Sequence, residues 1–363
     1  MTNSTKDRIT TVQTAVIVSN FMLGSGILTL PRAAGTEVET PDVWISVLIG
    51  GIIAIAAGVI MAVLSKSHVG RSLFQYSQDL LGKWIGGVIS IAFVIYFFMT
   101  AAYQIRALAE VAAFFLLEGT PTWAIFMVFM WVSHYLMTGG INAIARLFEI
   151  ILPITIVIYL LVMLMALKIF ELDNLRPVLG QGIMSVLAGL KATSLSFIGF
   201  EIILILTAFM NEPNKSVKAV VYGIAIPLCL YLLTVVIVIG CLSLDGVLTR
   251  SWPTLDLVRS FELSGLIFER FESLLLVIWI MQIFSSYTSA FYAASLGVSQ
   301  VFNINMNKCL YILLPIVFII ATLPQNTTVL FASGDLLGNI AIYLFILIPF
   351  LLLLTKWKKR SKG

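Results

Sequence analysis

The chain has 363 residues, 60% of them hydrophobic and 11% charged, with a mean hydropathy of +1.04 and a formal net charge of +4. A soluble domain carries charge at about a quarter of its positions, so this composition excludes a soluble enzyme and leaves no room for a separate catalytic domain. At roughly 20 apolar residues per spanning helix, the apolar fraction suffices for on the order of ten spans.

In chain order, the polar start Met1 to Thr10 runs into an apolar stretch with no small-residue cleavage site, so it reads as the lead into a retained first helix. Apolar runs are predicted at about 11–34, 42–65, 85–117, 121–138, 141–169, 182–210, 217–242, 272–299, 308–323 and 336–355. An even number of spans puts both termini on one side. With the termini inside, the inner ends hold Lys6, Arg8, Lys66, Arg71, Lys83, Arg146, Lys215, Lys218, Lys308 and the tail residues Lys356, Lys358, Lys359, Arg360 and Lys362. The outer connections then hold only Arg32, Lys168, Arg176, Arg250, Arg259 and Arg270, which makes both termini cytoplasmic by the positive-inside rule. Trp44, Trp84, Trp123, Trp252 and Trp357 fall near predicted helix ends, where interfacial anchors sit. The basic tail reads as an anchor on anionic lipid, not as a nucleic-acid site. Cys229, Cys241 and Cys309 are too scattered for a disulfide framework or a metal site.

Two connections carry amphipathic stretches. Ser72 to Leu81 is expected to form a short helix lying at the inner interface. The longest loop, about 243–271, contains Trp252-Pro253 and then Leu255, Val258, Phe261 and Leu266, and is expected either to form an outer lid or to be a plain interfacial connector.

The first run is interrupted by Gly24-Ser25-Gly26-Ile27-Leu28-Thr29-Leu30-Pro31-Arg32. Two glycines within three residues let the backbone leave helical geometry, freeing groups that lipid cannot satisfy. The sixth run has a matching interruption, Ser194-Leu195-Ser196-Phe197-Ile198-Gly199-Phe200-Glu201. Breaks in runs one and six are what two inverted five-helix repeats would produce, with a ligand at the midplane between them. The competing reading is that the glycines merely let helices pack closely. The expected architecture is an all-α polytopic membrane protein of one integral domain. Repeat one covers about 9–170, repeat two about 180–325 plus the final helix 336–355, and a cytoplasmic tail covers 356–363.

Together with these breaks, the SLFQYSQDLLGKWIG stretch after the second span, Arg146-Leu147-Phe148-Glu149 at the start of the fifth and SFIGFE in the sixth resemble the GerAB type of spore germination protein over essentially the whole chain. These are B subunits of germinant receptors, related to the amino acid, polyamine and organocation transporters. The resemblance implies ten helices in a LeuT-like five-plus-five arrangement, the inner membrane of the spore, and partnership with a larger A subunit and a C-subunit lipoprotein. It also implies recognition of a nutrient such as an amino acid. In that picture Gly24, Ser25, Gly26 and Ile27 offer backbone donors to a carboxylate. Phe197, Ile198, Gly199 and Phe200 offer carbonyls to an amine and apolar surface to a side chain.

Ionisable groups at membrane depth are functional candidates by default. Arg106 and Glu110 lie four apart on one helix face. With Arg32 and Lys191 they are expected to line an outer vestibule that acts as a gate; the alternative is a structural Arg106–Glu110 pair with Arg32 and Lys191 snorkelling outward. Glu149 and Glu201 are expected on inner helix halves, either carrying a proton in a coupled cycle or hydrogen-bonding broken backbone. On the eighth span Gln282, Ser285, Ser286 and Ser289 form a polar stripe. In the transporter relatives this helix helps form a sodium site, so Ser285, Ser286 and Ser289 mark an ion-site candidate; the alternative is hydrogen bonding to a neighbouring helix. His68 and His134 belong to no zinc motif, His134 is expected at an interface, and no nucleotide fingerprint or cofactor motif occurs. The expected function is nutrient sensing within a germination receptor. A proton- or sodium-coupled amino acid transporter and an ion or water conduit within the receptor are the alternatives.

Overall fold

The computed structural model describes residues 7–260 and 271–360, and the fold is all-α. The first run is two helices, α1 (Thr11–Met22) and α2 (Gly26–Val38), bent by 54°. Thr10 sets where α1 starts: its hydroxyl accepts the Gln13 backbone N–H at 3.1 Å while the side-chain oxygen of Gln13 accepts the Thr10 backbone N–H at 2.9 Å. There follow α3 (Val43–Lys66), α4 (Leu73–Phe115), α5 (Thr122–Thr138) and α6 (Gly140–Ala166). The sixth run is α7 (Ile183–Ser196) and the segment Phe200–Phe209, bent by 52°, with α8 (Ile203–Leu206) between 3-10 turns. The remainder is α9 (Ser216–Leu248), α10 (Pro253–Ser260), α11 (Phe271–Phe302), α12 (Met306–Thr322) and α13 (Thr327–Arg360). Among the described residues six helices are long and apolar enough to cross a bilayer; the two bent pairs and the shorter α5 and α12 bring the segments to the expected ten.

The start of the first span lies beside the end of the sixth. Ile9 N–H donates to Phe209 O and Asn211 N–H to Ile9 O, both at 2.9 Å. The two broken spans therefore run in opposite directions, as two inverted five-helix repeats require.

Three local readings gain detail from the structure. The Ser72–Leu81 helix is joined to the third span through Gly82, whose φ of +85° turns the chain back on itself. Its apolar side, Leu73, Phe74, Tyr76 and Leu80, is buried against the rest of the protein. The last helix begins at Thr327, capped by the Asn326 side chain, which accepts the Val329 N–H at 2.9 Å, and it continues through Lys356, Lys358, Lys359 and Arg360; Lys362 lies outside the described residues. His134 is buried between the rings of Tyr311 and Trp131, at centroid distances of 4.3 and 5.7 Å.

The described part of the 243–271 connection docks into the bundle. Trp252, Leu255, Leu257 and Val258 are buried, Trp252 lies edge-on to Phe331 at 5.3 Å, and the Thr254 hydroxyl donates to Ile27 O at 3.1 Å. Trp252 is thus a packing residue, unlike Trp84, which is 89% exposed. Phe261, Glu262, Leu266, Glu269 and Arg270 lie outside the described residues. Removing a buried indole costs about 3–5 kcal/mol. Trp252→Ala is therefore expected to lower the thermal midpoint of the purified protein in scanning fluorimetry, while Trp84→Ala leaves it unchanged.

Candidate functional site

The site is built from what the two breaks leave unpaired. At the end of α1 the Asn20 and Phe21 carbonyls lie 3.1 and 2.7 Å from the Ser286 hydroxyl of α11, and the Met22 carbonyl accepts from the Tyr231 hydroxyl of α9 at 2.5 Å. The Ser25 N–H donates to the side-chain carbonyl of Gln104 on α4 at 3.2 Å. The first bond of α2 is Leu28 N–H to Ser25 O at 3.1 Å, so the Gly26 and Ile27 N–H groups stand ahead of any intrahelical partner.

The second break is closed by an acid. Glu201 is fully buried; one oxygen accepts the Gly199 N–H at 2.8 Å and the other the Tyr96 hydroxyl at 2.8 Å. Gly199 has φ +127°, a conformation that only glycine adopts readily. The Ser196 carbonyl, last in α7, accepts from Tyr231 at 2.8 Å. Tyr231 therefore sits between Met22 of one break and Ser196 of the other, with one proton for two carbonyls. The breaks are in contact: a Cβ on Gly26 would lie 2.8 Å from Ser196 Cα, and one on Gly199 would lie 2.9 Å from Met22 N. The Phe197 and Tyr231 rings pack edge-on at 5.4 Å, and Phe197, Ile198 and Phe200 are buried beside them.

The charged candidates separate into three environments. Arg32 and Lys191 line one cavity of about 340 Å³ above the contact of α2 with α7, together with Glu37, Tyr103, Ser194 and Asp335. Arg106 and Glu110 are absent from that lining; they pair with each other at 2.5 Å, and Arg106 also reaches the Thr122 hydroxyl at the start of α5 at 3.3 Å. Glu149 accepts from the Gln13 amide at 3.1 Å near the start of α1. In the polar stripe, Gln282 donates to the Thr155 hydroxyl at 2.8 Å, Ser285 to the Met281 carbonyl of its own helix at 2.8 Å, and the buried Ser289 hydroxyl has no hydrogen-bond partner among the described residues.

Gln104, Tyr231, Tyr96 and Asp335 did not emerge from the sequence. Gln104 had a signal, a polar side chain at depth two residues before Arg106, to which the same rule applies. Asp335 lies just ahead of the apolar run that marks the last span, so it reads as loop. Tyr231 and Tyr96 are tyrosines in apolar runs and carry no signal until their hydroxyls find partners.

The family model described as "Spore germination protein" matches residues 8–329. The chain belongs to that family. It is 51% identical to spore germination protein YndE of Bacillus subtilis (strain 168) across 99% of both chains, and 40% identical to spore germination protein A2 of the same organism across 95% of this chain and 94% of the relative. Among solved structures, MhsT in complex with L-phenylalanine superposes with a TM-score of 0.71 over 97% of this chain and 99% of that one at 12% identity, which establishes a shared fold. The chain is thus a membrane protein of spore germination built on a transporter fold, as its motifs and breaks led one to expect.

Losing a buried hydrogen bond and stranding its acceptors costs about 1–3 kcal/mol. Tyr231→Phe strands one carbonyl at each break and is expected to lower the thermal midpoint accordingly. Tyr222→Phe, at a side chain 54% exposed, serves as the control and leaves it unmoved.

Proposed function

We propose that the protein is the nutrient-sensing membrane subunit of a spore germination receptor, and that it binds a small zwitterion, an amino acid, between the two helix breaks. The observation that supports this most is the meeting of both breaks under one hydroxyl, Tyr231, against the Met22 and Ser196 carbonyls. A carboxylate would take the N–H groups of Gly26 and Ile27, joined by those of Gly24 and of Ser25 once Gln104 gives way. The ammonium would take carbonyls at the end of α7, at Phe197 and Ile198, while Gly199 and Phe200 shape the apolar side of the space. Because Gly26 lies against Ser196, entry requires α2 and α7 to part. Binding then favours one of two packings of the bundle, which is what a receptor needs in order to signal.

Within this reading Arg32 and Lys191 gate the entry, and the Arg106–Glu110 pair anchors α5. Glu201 and Glu149 are the candidates to carry a proton between the two packings. The repeats are about 9–170 and about 180–325 plus the final helix 336–355, both termini are cytoplasmic, and the protein works in the spore inner membrane with an A subunit and a C-subunit lipoprotein.

A second reading is an ion-coupled amino acid carrier. What favours it is the convergence of the Asn20 and Phe21 carbonyls on Ser286, near the unpartnered Ser289 hydroxyl, oxygens of the kind that hold a sodium ion. The tests separate the two. Gly26→Val in an assembled receptor is expected to raise the half-maximal nutrient concentration for germination by at least about tenfold, equivalent to about 1.4 kcal/mol of lost binding; an unaltered dose response would remove the ligand from the breaks. Proteoliposomes of the wild-type protein are expected to bind labelled amino acid without accumulating it. Accumulation driven by a sodium or proton gradient would assign the carrier function instead.

A further inference from the structure

The cavity above the breaks holds four charged side chains of both signs that do not pair with one another. Arg32 and Glu37 come from α2, Lys191 from α7 and Asp335 from α13. Asp335 is within electrostatic reach of both Lys191 and Glu37, yet none of the four closes an ion pair within 4 Å among the described residues. At about 340 Å³ the space is within the range of small-molecule sites, roughly 300–1,000 Å³. Its floor is the buried Tyr103, adjacent in sequence to the Gln104 that holds the Ser25 N–H. Its walls are the two half-helices whose contact, Gly26 on Ser196, closes the way to the breaks.

Oppositely charged side chains in one vestibule would lower their energy by pairing directly. Held apart around a cavity, they match a molecule that carries both charges itself. A simple anion would leave the carboxylates repelling it, and a simple cation would meet Arg32 and Lys191. We propose that this cavity is a binding site of its own for a free amino acid, with the carboxylate on Arg32 and Lys191 and the ammonium on Asp335 and Glu37. The site at the breaks plays no part in the inference, and the two can be occupied independently. The hydroxyl-bearing wall, with Ser194 and Thr29, leaves the side chain of the amino acid loosely specified, so the vestibule selects for zwitterions as a class.

The test uses full-length protein in nanodiscs, with Cys229, Cys241 and Cys309 replaced by serine and Ser251→Cys introduced on the cavity wall as a reporter. The rate at which a membrane-impermeant maleimide alkylates that cysteine is followed with and without an equimolar mixture of the L-amino acids other than cysteine. The mixture is expected to slow alkylation, and the protection should persist in Gly26→Val, which blocks the breaks. Lys191→Gln and Asp335→Asn should each raise the half-protecting concentration on the order of tenfold, whereas Lys191→Arg should retain protection and so exclude misfolding as the cause. No protection in the parent protein, or equal protection by sodium acetate or methylammonium chloride alone, overturns the zwitterion site. Protection that disappears only in Gly26→Val also overturns it, because the reporter would then be sensing occupancy of the breaks. Protection lost only in the Lys191 and Asp335 variants leaves the breaks unaddressed and supports the vestibule.

Discussion

A helix broken in the middle of a membrane exposes N–H and C=O groups where no water can reach them, and each left unsatisfied costs several kcal/mol. Two such breaks face each other in this protein, and side chains from around the bundle attend to them: Ser286 and Tyr231 on the carbonyls, Gln104 and Glu201 on the amides. These partners come from α4, α9, α11 and the second broken span itself. The breaks are possible only because the whole bundle closes on them. Conversely, a ligand that competes for any of these backbone groups alters the contacts of several helices at once, which is how a small molecule can change the packing of a large apolar bundle.

Tyr231 is the point of greatest leverage. Its hydroxyl offers one proton to two carbonyls, so any shift of Met22 relative to Ser196 changes which of them is satisfied. Close contact makes the arrangement discrete. Gly26 and Gly199 lie so near Ser196 and Met22 that a single added carbon would not fit, and packed surfaces of this kind switch between alternatives more readily than they deform. Glu201 secures the far side, where a buried carboxyl group is tolerated because two donors are aimed at it.

The charges at depth show how much context decides. Arg106 and Glu110, four residues apart on one helix, take the pairing that their spacing allows. Arg32 and Lys191 lie far apart in sequence, and only the packing of α2 beside α7 places them at one cavity, where Asp335 and Glu37 face them. Trp252 and His134, polar-edged aromatics near helix ends, read as interfacial from position alone. Both are buried, because the chain around Trp252 folds in over Phe331 and because Tyr311 and Trp131 enclose the imidazole.

Hydropathy and glycine placement were enough to reveal the ten segments, the two broken spans and their inverted relation. Each of these follows from a local property, apolar length or a backbone freed to leave the helix, and the motifs then led to the family. The partners of the breaks were not legible, because a tyrosine or glutamine in an apolar run declares nothing until another helix brings a carbonyl or an amide to it. The sequence by itself determined where this chain lives and where its helices must yield. The tertiary structure alone decided what meets the yielded backbone, since hydrogen bonds across more than two hundred residues of chain, such as Tyr231 to Met22, depend on packing that no local pattern encodes.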